Sequence, residues 1–470
     1  MHNEQDSSSD NSQIKAVVKR FEKMLSQHTS LFFDVDEFEE LIDYYQSKNE
    51  SYKALKVVDF ALAQHPNSAA LLLSLAQLKL SIHKPQEALK YLQRSEEIEP
   101  FNADLFQTKA SIFSQLRKPE KAIEQYEKAL HHCDEFEREY ILLQLSFEFE
   151  NIDKYPEAIK YLHQILDQNH ENETALYELG FCYDASQRME EAKDYFQHFV
   201  DQHPYSYIGW FNLGVSYTKL ELHEKAIQCY DFAIAIKEDF STAYFNKANC
   251  LNLIGEHEAA LECFNETLAL DPEDALSHYY IGESYEKLED FERAIGFFKK
   301  ATQLDEFLSD AWMGLASCYY ELGQASSSLH YVKKSIDLDE SNAEYHYLLG
   351  DVLKELGRTE ESLVAYEKVH ELDETHEDIL IDLALTHEVL DQADEAMNYY
   401  CQGIQEQSQN ARLIYTFVAF LLRKGDLINA SFYLDHALNT FYEEKEELFR
   451  LYPDAKFHPQ VVELLEYYKK

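Results

Sequence analysis

Residues 207–240 read YIGWFNLGVSYTKLELHEKAIQCYDFAIAIKEDF, and residues 241–274 read STAYFNKANCLNLIGEHEAALECFNETLALDPED. Laid over each other at a step of 34, they align Trp210 with Tyr244, Gly214 with Ala248, Ala226 with Ala260 and Tyr230 with Phe264. A further step of 34 gives His278, Gly282, Ala294 and Phe298. A fixed period of this length means stacked copies of one supersecondary unit rather than a single globular core. Each copy carries apolar residues at helical spacing in two runs, so each reads as two antiparallel helices. Gly214 and Ala226 are small because the paired helices approach closely there. Stacks of this kind build long surfaces that hold other proteins.

Working outward, twelve copies begin at Val35, Ala69, Ala103, Glu139, Glu173, Tyr207, Ser241, Ala275, Ser309, Ala343, Glu377 and Ala411. Every step is 34 except the 36 between the third and fourth copies, near Asp134–Arg138. Turn chemistry falls in phase. Gly255, Gly323, Gly357 and Gly425 sit between paired helices, where a left-handed residue ends the first helix. Pro85, Pro119 and Pro156 open second helices. Pro66, Pro100, Pro204 and Pro272 follow them. The pattern predicts a polar, disordered tail over 1–13 and an amphipathic capping helix within 14–34. Repeats are expected over 35–444, with a C-terminal extension and capping helix over 445–470. Glu443–Leu451 reads as a continuation of the last repeat's second helix.

Composition narrows the function classes. The chain has 42 Lys and Arg against 87 Asp and Glu, a net charge of −45. That argues against nucleic acid, whose phosphates need cations, and against anionic membrane. The longest apolar run, Leu413–Leu422, is too short to span a bilayer. Residues 1–13 lack the apolar stretch of a secretory signal. A soluble, cytoplasmic chain is expected. Cys182, Cys250 and Cys318 recur at twice the period and Cys229 and Cys263 at the period, so they read as small buried hydrophobes. His131, His132 and Cys133 are contiguous and cannot all converge on one metal. Neither a phosphate loop nor a hydrolase or metalloprotease motif occurs. No catalytic residue, cofactor or metal is expected.

The pattern Trp–x2–Leu–Gly–x2–Tyr, then Ala–x3–aromatic–x2–Ala, met at Trp210–Ala233, resembles the tetratricopeptide repeat family. Leu176–Pro204, Tyr244–Pro272 and Trp312–Glu340 follow it nearly as well. The resemblance implies an all-α superhelix of helix pairs, a bacterial all-repeat protein, and a non-catalytic scaffold or adaptor. It also implies that first helices line a concave groove. Carried onto this chain, the groove positions include Tyr177, Phe181, Phe211, Asn212, Phe245, Asn246, Asn249, Asn252, Tyr279 and Tyr347. Amides can bond a peptide backbone in both directions, and aromatic rings grip apolar side chains. An extended peptide is the expected ligand. Acids crowd both ends of the same face: Asp36, Glu39, Glu40 and Asp43 early, and Glu344, Asp351, Asp378 and Asp382 late. They suggest basic flanks on the partner. The family's carboxylate clamp is not expected, because Thr242, Phe245 and Asn246 occupy the positions that would pair with Lys219 and Asn212. Self-assembly of the stack is the alternative, and a regulatory subunit of an enzyme complex a further one.

Overall fold

The computed structural model describes the backbone of residues 3–27 and 29–469, with side chains from Ile14 onward. Among the described residues it contains 27 α-helices, two short 3-10 turns and no strand. Ten of the twelve first helices begin at the residue where the period places them, as in Tyr207–Lys219 and Ser241–Leu253. The chain divides into two compact units, one ending at Glu238 and one starting at Asp239. Each contains six repeats.

One position carries the core. The twenty-fourth residue of every repeat is buried: Val58, Leu92, Tyr126, Leu162, Phe196 and Tyr230 in the first unit, and Phe264, Phe298, Val332, Tyr366, Tyr400 and Leu434 in the second. In the sixth, eighth and tenth repeats it packs directly on a glycine of the first helix, Gly214, Gly282 and Gly350. A Cβ added to Gly214 would lie 2.6 Å from the Tyr230 ring. Where the side chain is tyrosine, its hydroxyl stays bonded to the first helix of its own repeat. Tyr126 pairs with Ser111 at 3.2 Å, Tyr230 with Thr218 at 2.9 Å, Tyr366 with Asp351 and Tyr400 with Glu388, both at 2.6 Å. A buried hydroxyl without such a partner would cost about 1–3 kcal/mol.

The turn inside each repeat is the same device throughout. A residue at the end of the first helix, in most repeats the one after the C-cap, takes positive φ, and two backbone bonds close the end. At Gly255 they run from Gly255 N to Asn252 O at 3.0 Å and from Glu256 N to Leu251 O at 2.9 Å. Only Gly255, Gly323, Gly357 and Gly425 supply glycine there. Asn49, His83, Arg117, Asp153, Gln187, Glu221, Glu289 and Asp391 adopt the same left-handed conformation with a side chain, at φ between 54° and 60°. The left-handed region costs an L-residue about 1–2 kcal/mol, more than glycine's entropic cost of about 0.5–1 kcal/mol. Changing Arg117, Gln187 and Glu221 together to glycine is therefore expected to raise the stability of the first unit by about 1 kcal/mol in total. A lowered urea midpoint would refute this.

Two places depart from the period. The 36-residue step lengthens a helix rather than a loop. The first helix of the fourth repeat runs Glu135–Glu150, capped by Asp134, whose carboxylate accepts from the Phe136 and Glu137 amides at 3.0 Å. The linker before it shrinks to Cys133 and Asp134. In the eleventh repeat the first helix starts at Ile379, and Asp378 turns back to pair with Arg412 at 2.7 Å.

The ends are closed by extra helices. Of the expected polar tail, residues 1 and 2 lie outside the described residues, and backbone from Asn3 belongs to helix Asn3–Gln27. Val17, Val18, Phe21 and Met24 of that helix are buried with Phe33 and Phe38. At the other end the second helix of repeat twelve stops at Thr440, contrary to the continuation read from the sequence. The helix ends at its C-cap Phe441, whose carbonyl accepts from Tyr415 Oη at 2.9 Å. Helix Glu446–Leu451 then packs Leu448 and Phe449 into the core of the second unit, and helix Pro459–Tyr468 buries Val461 there.

Candidate functional site

In the first unit, helix Glu173–Ala185 presents Tyr177 and Phe181 one turn apart. They are 50% and 49% exposed. Phe211, on the next repeat's first helix, is buried with its ring parallel to that of Tyr177 at 6.5 Å. Asn212 does not face outward as expected. It is 4% exposed, and its amide donates to Leu176 O at 2.7 Å. It occupies the space beside Gly180, where an added Cβ would lie 2.5 Å from Asn212 Oδ1. A glycine in one repeat thus turns a groove amide of the next into an internal lock. Lys219, the one basic residue named for the carboxylate clamp, pairs with Asp184 at 3.0 Å.

Behind the rings lies a carboxylate pair that sequence reading missed. Glu150 is half-buried, accepts from the Cys182 thiol at 3.4 Å and faces Glu178. Burial, reinforced by Glu178, pushes the Glu150 carboxyl up from 4.5 to about 7. The folded chain therefore binds a proton that the unfolded chain has already lost. Stability contributed by this site is present at low pH and falls as pH rises between about 4.5 and about 7. Glu150→Gln keeps an acceptor for Cys182 and is expected to flatten that slope, adding about 1–2 kcal/mol above pH 7. Melting curves against pH check it.

The early acids share one face. Asp36, Glu40 and Asp43 are exposed on helix Val35–Ser47, and Glu39 is half-buried. Burial raises the Glu39 carboxyl first, and Asp36 and Asp43 raise it further.

In the second unit the expected amides divide. Asn246 donates to Thr242 O at 2.8 Å on its own helix. Asn252 is held on both atoms, donating to Ser284 Oγ at 2.8 Å while its Oδ1 lies 3.1 Å from His257 Nδ1. Asn249 lines a cleft of about 360 Å³ with Asn252, Leu253, His257, Tyr280, Glu283 and Lys287. Phe245 stands edge-on to Tyr280 at 5.3 Å, and Tyr279 packs on Phe298 at 5.8 Å. Both are half-buried.

The late acids are largely occupied. Tyr347 donates to Asp382 at 2.9 Å, and Lys354 reaches the same carboxylate at 3.1 Å. Asp382 is 4% exposed. Asp378 is paired with Arg412, and Asp351 accepts from Tyr366. Glu344 is exposed, 3.7 Å from His376 Nε2. Of the expected late acids, Asp378 and Asp382 are thus ion-paired within the unit, Asp351 accepts from a tyrosine hydroxyl, and Glu344 stays exposed.

Family models described as tetratricopeptide repeat match residues 103–130, 153–205, 207–240, 241–274 and 275–307. The chain is a tetratricopeptide repeat protein. Within this repeat protein, residues 297–369 also match the model described as anaphase-promoting complex, cyclosome, subunit 3. No curated protein sequence matches the chain. Solved structures similar to it include YrrB, titled a TPR protein with an unusual peptide-binding site, at 25% identity over 39% of this chain and 95% of that one, with a TM-score of 0.34. A tetratricopeptide repeat protein from Parabacteroides merdae is similar at 16% identity, 53% and 98% coverage and a TM-score of 0.42. The APC/C hetero-tetramer Cut9–Hcn1 is similar at 12% identity, 99% and 95% coverage and 0.43. No helix among the described residues is long and apolar enough to cross a membrane. Five cysteines, Cys182, Cys229, Cys250, Cys263 and Cys318, are buried, as their periodicity suggests.

Proposed function

We propose that this repeat protein is a non-catalytic, cytoplasmic scaffold that holds an extended segment of a partner protein against its first helices. The observation that carries this is the exposure of Tyr177 and Phe181. Two rings half open to water, on a helix that buries Leu176, Leu179, Cys182 and Tyr183, form a grip for apolar side chains. The early acids Asp36, Glu39, Glu40 and Asp43, without an ion pair among the described residues, favour basic residues toward one end of the partner.

Selection of phage-displayed peptides on the full chain tests it. Peptides with an apolar or aromatic centre are expected to enrich. Tyr177→Ala/Phe181→Ala should weaken the selected peptides by about tenfold or more while leaving helix content and melting unchanged. Equal affinity for the double variant overturns the reading. Sedimentation at several concentrations separates this scaffold from a self-assembling stack.

A second reading, a subunit of a larger assembly, is favoured by the match of residues 297–369 to the anaphase-promoting complex subunit model. Native extracts fractionated by size test it. Elution at the 55.1 kDa of the single chain would count against it.

A further inference from the structure

The cleft between the seventh and eighth first helices contains a buried acceptor, Asn249 Oδ1, and a half-buried carboxylate, Glu283, neither hydrogen-bonded by a side chain among the described residues. Asn249 Oδ1 is shielded from solvent, and no donor among the described residues reaches it. Glu283 is half-buried on the facing wall, with no hydrogen bond or ion pair to any described side chain. Buried acceptors in folded proteins are almost always bonded, so Asn249 Oδ1, with a half-buried carboxylate facing it across the cleft, points to a donor from outside.

The walls say which donor. Tyr280 contributes an aromatic ring, half-buried and fixed from behind by Phe264, stacked on it at 5.8 Å. Asn252 cannot turn to help, because Ser284 and His257 hold it. The surrounding charge is negative. Glu286, bonded to Ser317 at 2.6 Å, and Asp310, bonded to Tyr345 at 2.5 Å, lie near Glu283, with Lys287 and His257 as the opposing basic groups of the cleft. Burial raises the carboxyls of Glu283 and Glu286; Lys287 opposes this in both, and neighbouring acids add to it. A lysine ammonium is compact and strongly hydrated. A guanidinium is planar, weakly hydrated, stacks on tyrosine and presents several donors in a fixed fork.

We infer that the Asn249–Glu283 cleft is a pocket for one arginine side chain of the partner segment, with the guanidinium donating to Asn249 Oδ1 and to the Glu283 carboxylate and lying along Tyr280. The inference rests on the reading that a partner segment occupies the first-helix face.

The test is a titration of the full chain, labelled with ¹⁵N on asparagine, with N-acetyl-arginine methylamide. The Asn249 side-chain amide, identified by its loss in Asn249→Ser, should shift saturably at millimolar ligand. The citrulline analogue has the same shape without the charge and should bind at least about tenfold more weakly. Glu283→Gln should weaken arginine binding to a similar degree. Lys287→Gln removes the competing cation and should tighten it about threefold, a gain that misfolding cannot mimic. Equal binding of citrulline, no effect of either substitution, or no shift at Asn249 overturns the assignment. Failure of the wider reading shows differently, as peptides that never enrich on the protein. Failure of the arginine pocket alone leaves peptides enriching with no preference for arginine.

Discussion

Phe298→Ala is expected to destabilise the second unit by about 3–5 kcal/mol, the range for deleting a buried aromatic ring. The ring is fully buried, and it serves two repeats at once. A Cβ added to Gly282, on the eighth first helix, would lie 2.7 Å from it, and one added to Gly314, on the ninth, 2.5 Å. Alanine would leave a void walled on both sides by helix backbone that has no side chain to fill it. The loss should be local in a stack whose repeats touch mainly their neighbours. Hydrogen exchange is therefore the measurement of choice. Amides of helices Ala275–Lys287 and Ser309–Glu321 should lose protection more than those of the final repeat. Unchanged protection in the two helices would show that the ring does not bridge them.

Gly214→Leu should cost the first unit about 3 kcal/mol, by the opposite fault. Its Cβ alone would sit 2.6 Å from the Tyr230 ring, before the rest of the side chain is placed. The ring cannot swing aside freely, because its hydroxyl is tied to Thr218 and its surroundings are buried. Gly296 supplies the control. It lies within helix Phe291–Leu304, and a Cβ there would meet nothing within 4 Å. Gly296→Ala should therefore stabilise by about 0.5–1 kcal/mol, through helix propensity alone. Equal melting temperatures for the two variants would contradict the packing argument.

The helix pairs were legible in sequence because their determinants are local and repeat. Small residues, core rings, prolines and turn glycines all fall at fixed phase. The eight left-handed turns without glycine were not legible one by one, since arginine or glutamate gives no sign of positive φ. They follow only once Gly255 and its equivalents define the position. The site was harder for a different reason. Asn212 occupies a groove position by phase, yet its fate is decided by Gly180, 32 residues earlier. Asp382 likewise is governed by Tyr347 and Lys354, one repeat back. Period tells where a side chain starts, and its neighbour in the stack decides whether it is spent inside. Tyr177 and Phe181 stay open to water; Glu150 and Glu283 became visible only with packing in view.

The long helix Glu135–Glu150 has a bearing on assembly of the chain itself. Eleven of its counterparts are nearly interchangeable in length and spacing, so a nascent chain that docked a repeat one place out of order would still satisfy many of its contacts. The helix with an extra turn and a two-residue approach fits a single slot. It works as an index mark, penalising every out-of-frame stacking that would have to seat it where a shorter helix belongs.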